Sequence, residues 1–518
     1  RSRSRRWASG EDDQYPPVTL WLLGDQLHLP TVLELDVEQV LLIEAEAVGT
    51  RHRYHPQKLA LLLSAMRHFA EELREHDVGV TYLQSDSFAD GVEQFAEAVG
   101  ELELVGFEHP SAGADDARAS VVAAAGGALE LVPSPLYLST RDQFDAWAGP
   151  HEQDRRYRQE QWYRHIRTET GILMDGDAPE GGDWNYDAQN RETPPEGWTP
   201  PPAPRYPPDG VTEEVIEEVR TRYQDTWGAA GPFGWPVTRA DALDALEHFI
   251  ADRLVEFGSY QDAMVDGEWA LAHSLLSTSI NIGLIHPQEA VDRAVAAYEA
   301  DAAPINAVEG FIRQLVGWRE FMRHVYRRAM PSLASANQLE QERSLPPLYW
   351  DGETDMRCLQ QAVEHVYDRG YAHHIERLMV LSNFAMLYGT APAAVNEWFH
   401  LGFVDAFHWV TTPNVIGMGS FGTDVLSSKP YAASANYINK MSDHCGHCRF
   451  DPNETTGTDA CPFNALYWNF LDEHEALLRA TGRMGLMYSH VDRKSEEEWT
   501  AIRERADAVR SAIAAGRL

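Results

Sequence analysis

The chain has four cysteines, Cys358, Cys445, Cys448 and Cys461, and three of them fall in the string HCGHCRFDPNETTGTDACPF. Their spacing is C-x2-C-x12-C, with the fourth sulfur supplied from well upstream. Four thiolates complete a tetrahedral metal site or the corners of a cubane, so sulfur concentrated in this way points to a bound metal. Two disulfides are the competing use, but a chain of 518 residues needs no such staples, and no secretory leader precedes the fold. Zinc held by four sulfurs more often shows two C-x-x-C knuckles. Here one knuckle stands with two single cysteines, and Pro462 follows the last of them as in bacterial ferredoxin runs. The spacing leaves zinc and iron–sulfur open and favours the cluster.

These cysteines lie on a chain whose hydrophobic pattern changes along its length. VTLWLLG, QVLLIEAE, VGVTYLQ, LELVGFE and ALELVPS read as buried parallel strands. Amphipathic helical stretches such as PQKLALLLSAMRHFAEELREH and ADDARASVVAAA separate some of them. The expected fold class is therefore α/β plus all-α. A doubly wound parallel α/β domain over residues 18–135 is followed by an interdomain linker over 136–235, rich in proline, arginine and aromatics. An all-helical domain over 236–518 completes the chain. Its helices include VEGFIRQLVGWREFMRHVY and HHIERLMVLSNFAMLYG, with apolar residues near i, i+3, i+4 and i+7. The α/β part lacks G-x-G-x-x-G and any P-loop, which excludes a conventional dinucleotide or triphosphate fingerprint.

Lys and Arg number 43 against 80 Asp and Glu, a formal net charge of −37. Only Lys58, Lys429, Lys440 and Lys494 are lysines. The acid is spread over the chain, a surface that repels itself in dilute buffer and suits a cytoplasm of very high salt. Disorder is excluded by a 44% hydrophobic content and 15 tryptophans. No apolar run approaches membrane-spanning length, so a soluble, cytoplasmic protein is expected. The basic opening RSRSRR reads as a tail rather than a nucleic-acid arm.

At several points the sequence resembles the photolyase–cryptochrome superfamily, and within it the iron–sulfur prokaryotic branch that includes bacterial (6-4) photolyases. The matching strings are LLGDQL (22–27), KLALLLSAMRHFAEEL (58–73), PEGGDWNYDAQNR (179–191) and HSLLSTSINIGLIHP (273–287). Further on come FIRQLVGWREFMR (311–323), YAHHIERLMVLSNF (371–384), PNVIGMGSFG (413–422) and SKPYAASANYINKMSDHCGHC (428–448). The halophilic charge balance is this chain's own.

The resemblance implies FAD in the helical domain, a [4Fe-4S] cluster on the four cysteines, and an antenna, 6,7-dimethyl-8-ribityllumazine, in the α/β domain. For FAD it points to Ser274, Ser277, Thr278 and Ser279, hydroxyls suited to a pyrophosphate, and to Arg319, Asp405 and Asn414. Some relatives carry an acidic residue where this chain has Thr411. Trp398 and Trp350 are the implied electron relay. Asp25, Gln26 and Glu44, just past strand ends, are the implied antenna contacts. His373 and His374 face the implied lesion cavity, walled by Tyr431 and Met418, with Asp187 and Arg191 contacting the lesion. Consecutive helical residues diverge by about 100°, so the two histidines cannot share one pocket equally.

The expected function is light-driven repair of (6-4) photoproducts in UV-damaged DNA by a monomeric photolyase. His374 would donate a proton to a base flipped from the duplex. The rivals are a blue-light cryptochrome without repair and a cyclobutane dimer photolyase. Phosphate contacts need a local basic patch on so acidic a chain. Arg155, Arg156, Arg158, Arg164 and Arg167 are its candidates, although a solvated helix face explains them equally well.

Overall fold

A computed structural model describes residues 19–35, 37–150 and 156–518. The RSRSRR opening and Arg155 lie outside the described residues.

Two compact units form. Of the described residues, the first comprises those up to 144, 204–251 and 274–294; the second comprises those from 145 to 203, 252–273 and 295–518. The first is built on β1 (Thr19–Leu22), β2 (Gln39–Ala45), β3 (Gly79–Ser85), β4 (Glu103–Phe107) and β5 (Ala128–Val132). All neighbours are parallel, in the order β3-β2-β1-β4-β5. β1 is buried throughout and β2 along its centre, as a sheet covered on both faces requires. Trp21, Leu41, Ile43, Val92, Phe95, Leu104 and Val122 form a core beside it. Gly79 sits where an added Cβ would lie 2.8 Å from the Glu38 carbonyl oxygen, so a side chain there would push β3 off β2.

Helix Pro56–Glu75 starts with proline at its first position and a His55 side chain accepting from Gln57 N–H. Its apolar stripe, Leu59, Leu61, Met66, Phe69 and Leu73, is buried. Helix Gly210–Arg222, from the chain's return into this unit, is capped by Asp209 and packs on it. The strand order reverses about β1. Asp25, just past β1, and His109, just past β4, therefore flank the crevice where such sheets bind ligands.

The second unit is helical apart from the short pair Met174–Asp175 and Ala178–Pro179. Arg313–Arg319, Glu376–Ser382 and Pro413–Gly419 are π-helical turns. Such widened turns shift the side-chain register and occur frequently at functional sites. Helix Pro462–Glu473, which begins just after Cys461, packs against Glu496–Ala514. Ser495 and Glu498 close a capping box at the start of the latter helix, and Arg510 grips Glu473 through two bonds of 2.9 Å.

Candidate active site and metal centre

The helix Arg357–Arg369 stops at Gly370, whose φ of 64° lets its N–H reach back to the Val366 carbonyl. His373 and His374 follow shortly after and lead into the next helical segment. As their angular separation requires, they part company. His373 is fully buried, while the His374 side chain is 45% exposed. His273 joins them, stacked on His373 at 4.8 Å and edge-on to His374 at 5.1 Å. His373 has no hydrogen-bond partner at either nitrogen.

His374 Nε2 lies 3.1 Å from Asp262 Oδ1. From Asp262 the charges alternate outward. Arg191 Nε lies 3.5 Å from Asp262 Oδ2, and Arg191 donates to Asp187 at 3.1 Å. Arg313 donates to Asp187 at 2.5 Å and to the buried Glu309 at 3.0 Å. Each charge has an opposite neighbour, so the ladder holds its shape without ligand. The Tyr431 phenol is raised by burial and by Asp187, with Arg191 opposing. Tyr437 is raised by burial and by Asp262, again against Arg191. Both tyrosines thus feel the ladder's charges. Met418 is half-buried within Pro413–Gly419. The structure brings together His373, His374, Asp187 and Arg191, with Tyr431 in the same electrostatic neighbourhood. It adds His273, Asp262, Arg313 and Tyr437, which the sequence did not single out for this site.

The residues expected around FAD are largely committed to protein partners. Arg377 donates to both oxygens of Asp405 at 3.0 Å. Asn414 accepts from Trp318 Nε1 at 2.9 Å and donates to the Val410 carbonyl at 2.8 Å. Arg319 pairs with Glu320 at 3.1 Å and lies over the Trp409 ring. Thr411 is buried, its N–H bonded to the Phe407 carbonyl. Ser420 Oγ in this unit is buried without a partner. In the other unit, Ser279 Oγ is likewise buried without a partner, whereas Thr278 donates to the Leu275 carbonyl. Leu275 holds a φ of 60°, which a branched side chain tolerates only where its surroundings impose it. Ser274 accepts from Leu276 N–H at 3.4 Å, and Ser277 opens the helix Ser277–Ile282. The buried Ser420 and Ser279 hydroxyls, each taken within its own unit and among the described residues, lack a partner that a polar ligand would supply; Asp405 and Asn414, expected to face FAD, are already engaged.

Trp398 is fully buried and donates to the Tyr349 carbonyl at 2.9 Å, the two rings meeting edge-on at 5.1 Å. Trp350, next in the chain after Tyr349, is half-buried. In the α/β unit Asp25 lies 2.7 Å from His109 Nε2, and buried Gln26 turns its amide oxygen to Leu23 N–H. Glu44 accepts from Arg67 at 2.8 and 3.1 Å, from Gln84 at 2.9 Å and from Tyr82. It is a saturated buried carboxylate, not an open one.

All four cysteines line one small pocket with Met356, Ala435, Ile438, His444, Phe450 and Phe463. None is joined in a disulfide, so that alternative is not realised. Burial, then repulsion from Cys461, Cys445 and Cys448, pushes the Cys358 thiol far up. Burial takes Cys445 to about 11 and Cys461 to about 12. Thiols raised in this way ionise together only around a cationic centre. Among the described residues, no three His, Cys, Asp or Glu side chains are grouped so as to hold a single metal ion.

The arginine run does not make a free patch. Arg156 is tied to Asp424 and Arg164 to Glu160. Arg167 is buried on the carbonyls of Ile172, Leu173 and Trp184. Arg158 is exposed. Among the described residues, no helix is long and apolar enough to cross a membrane.

The family model described as "deoxyribodipyrimidine photo-lyase-related protein" matches residues 20–235. A protein named "(6-4) photolyase" from Agrobacterium fabrum is 41% identical over 500 residues, covering 94% of this chain and 98% of that protein. A bacterial class III photolyase from Agrobacterium tumefaciens superposes with a TM-score of 0.56 at 15% identity, over 97% of this chain and 98% of that one. A cryptochrome from Synechocystis sp. PCC6803 superposes with a TM-score of 0.58 at 12% identity, over 96% and 99%. A two-unit fold shared with both, and the close likeness to the Agrobacterium protein along nearly its whole length, place the chain in the photolyase–cryptochrome family.

Proposed function

We propose that this chain repairs (6-4) pyrimidine photoproducts in DNA, driven by light, with FAD and an iron–sulfur cluster as resident groups. The observation that carries the reading is His374, half-exposed and paired with Asp262 beside a buried imidazole stack. The likeness to the Agrobacterium (6-4) photolyase supports it.

FAD, when bound and reduced, supplies an electron under illumination and recovers it, so no external reductant is consumed in the repair step. The chain's own residues do the rest. The lesion, flipped from a duplex it already destabilises, meets the rim of Asp187, Arg191, Tyr431 and Met418. With Asp262 accepting from Nε2, His374 has Nδ1 left to address the substrate. A (6-4) product carries a transferred hydroxyl, so its reversal requires proton movement as well as an electron, and a placed imidazole serves that need. His373, sealed and unbonded, shapes the site as a neutral wall and does not itself reach the substrate. The hydroxyls of Ser274, Ser277, Thr278 and Ser279, with the Arg377–Asp405 pair, Asn414 and Arg319, would hold FAD. The buried Trp398 and half-buried Trp350 suit electron delivery from the surface.

Four cysteines around one pocket, with a single C-x-x-C knuckle and Pro462 after the last cysteine, support a [4Fe-4S] cluster over zinc. A ribityllumazine antenna would lie near Asp25, Gln26 and Glu44, each of which is already hydrogen-bonded within the protein. The charge of −37 supports a high-salt setting.

The test of the site is His374→Ala. FAD should remain bound and photoreducible, while (6-4) repair falls by about 10²–10⁴-fold, the range for losing a positioned acid. Full repair by this variant would remove His374 from the mechanism.

A further inference from the structure

Phosphate contacts remain to be found, because the arginine run expected to provide them is largely engaged elsewhere. The lysines are informative here, since the chain spends so few. Lys58 lies over the Tyr54 ring at 5.1 Å and Lys494 over the Trp468 ring at 4.2 Å. Lys429 and Lys440 are different: both are exposed, and among the described residues neither has an ion-pair partner. Among the described residues the exposed Arg74, Arg158 and Arg483 share that lack, so place in the fold singles out the two lysines.

Both lie on the stretch 429–440, whose Tyr431 and Tyr437 feel the charges of the ladder that ends at the exposed His374. The Lys440 carbonyl accepts from Thr193 Oγ1 at 3.1 Å, which ties the end of helix Ala435–Met441 to the loop carrying Asp187 and Arg191. Asn383 grips Ala433 through both its N–H and its carbonyl, at 3.1 and 3.0 Å, and fixes the stretch between the two lysines. Between them stand Tyr431 and Tyr437, which feel Asp187, Asp262 and Arg191. Next to Tyr431, the buried Pro430 separates it from Lys429 and restricts the backbone there.

We propose that Lys429 and Lys440 are the phosphate-binding rim of a nucleic-acid interface centred on the His374 opening. The proposal rests on the reading that this opening accepts a lesion in DNA. An ammonium on a flexible stem is a mobile point charge suited to backbone phosphates of any sequence. Arg191, whose side chain is 61% exposed, stands nearby but is held by Asp187 and Asp262. On a protein of this net charge, long-range attraction to DNA is absent. Binding must come from short-range contacts to phosphates, which two lysines without an ion-pair partner beside His374 would provide, and each such contact weakens with added salt as counterions are released.

The experiment measures the affinity of the FAD-loaded protein for duplex DNA with and without one (6-4) lesion. It uses a series of KCl concentrations over which the melting temperature is constant. Against wild type, Lys429→Ala/Lys440→Ala should lower affinity for both duplexes alike. It should also reduce the slope of log K against log salt by about 1.8, at roughly 0.9 for each phosphate that is no longer neutralised. Lys429→Arg/Lys440→Arg should restore the slope. Flavin content and melting temperature should match wild type, which separates a weakened interface from a damaged fold. An unchanged slope in a folded, flavin-loaded alanine variant would overturn the proposal. Wild type that repairs the lesion while the alanine variant keeps its slope would overturn the rim and leave the repair reading intact. Wild type that neither prefers the damaged duplex nor repairs it in light would overturn the repair reading on which the rim depends.

Discussion

His273 and His373 form a neutral pair behind His374, and burial is the main reason. It pushes His273 well below the ordinary imidazole value, with His374, Arg253 and Arg377 adding to the push and a hydrogen bond involving Gln261 opposing it. It does the same for His373, helped by His273, His374, His365 and His444. His365 moves the other way: burial lowers it, but Glu376, 3.0 Å from Nδ1, outweighs that and raises it. For the first two, the folded value lies below the unfolded one. Once the pH drops below about 6.5 the unfolded chain takes up protons that the fold refuses, and stability declines by about 1.4 kcal/mol per pH unit for each. His365 contributes stability with the opposite sign, present at low pH and lost as pH rises through its raised value. Burial also lowers His444 and His474, so with four lowered against His365 raised the melting temperature should fall between about pH 7 and pH 5, and His273→Phe should flatten the fall. A melting temperature that holds steady or rises over that window in wild type would contradict a neutral stack. The divergence of His373 and His374 was legible, because adjacent helical residues cannot share a direction. Their partners were not: Asp262 and His273 come from a separate segment, and no local pattern marks an ion pair between distant parts of a chain.

At the scale of elements, the five strands stand where the apolar runs put them, because a parallel sheet covered on both faces demands unbroken hydrophobic segments. The π-helical turns at Arg313–Arg319, Glu376–Ser382 and Pro413–Gly419 escaped notice. Their extra residue leaves the apolar periodicity of the flanking helix nearly intact. The return of residues 204–251 and 274–294 to the α/β unit was equally hidden, since helices there carry the same pattern as those of the helical unit. Arg377 behind Asp405 and Arg67 behind Glu44 went unseen for the same reason as Asp262. Cysteine spacing, by contrast, was enough to expect the four sulfurs in one place, and they line one pocket. The pocket draws on the start of helix Arg357–Arg369, the turn His444–His447 and the residue before helix Pro462–Glu473. A cluster there ties three elements together, and its binding energy is folding energy. Anaerobically purified protein should contain about four irons and four sulfides per chain. Cys358→Ser should lose them and melt at lower temperature. Stoichiometric zinc without iron would contradict the cluster.

Across the whole molecule, the charge of −37 and the repair of a polyanion pull in opposite directions. The structure eases the conflict locally, because acid at the opening is neutralised in the ladder His374–Asp262–Arg191–Asp187–Arg313–Glu309. In the high-salt setting proposed from the charge, the remaining carboxylates would be screened from the DNA and from one another. Photolyases and cryptochromes share this architecture, so fold alone does not separate repair from signalling. On the proposed reading the exposed His374 imidazole is what distinguishes repair, because reversal of a (6-4) product calls for a proton as well as an electron. The direct measurement is illumination of reduced, FAD-loaded protein in high KCl with two duplexes, one bearing a single (6-4) product and the other a single cyclobutane dimer. Restored pyrimidines are counted after digestion. The account predicts light-dependent restoration of the (6-4) duplex and none of the other. Restoration of the cyclobutane dimer alone, or of neither duplex while the flavin still photoreduces, would contradict it.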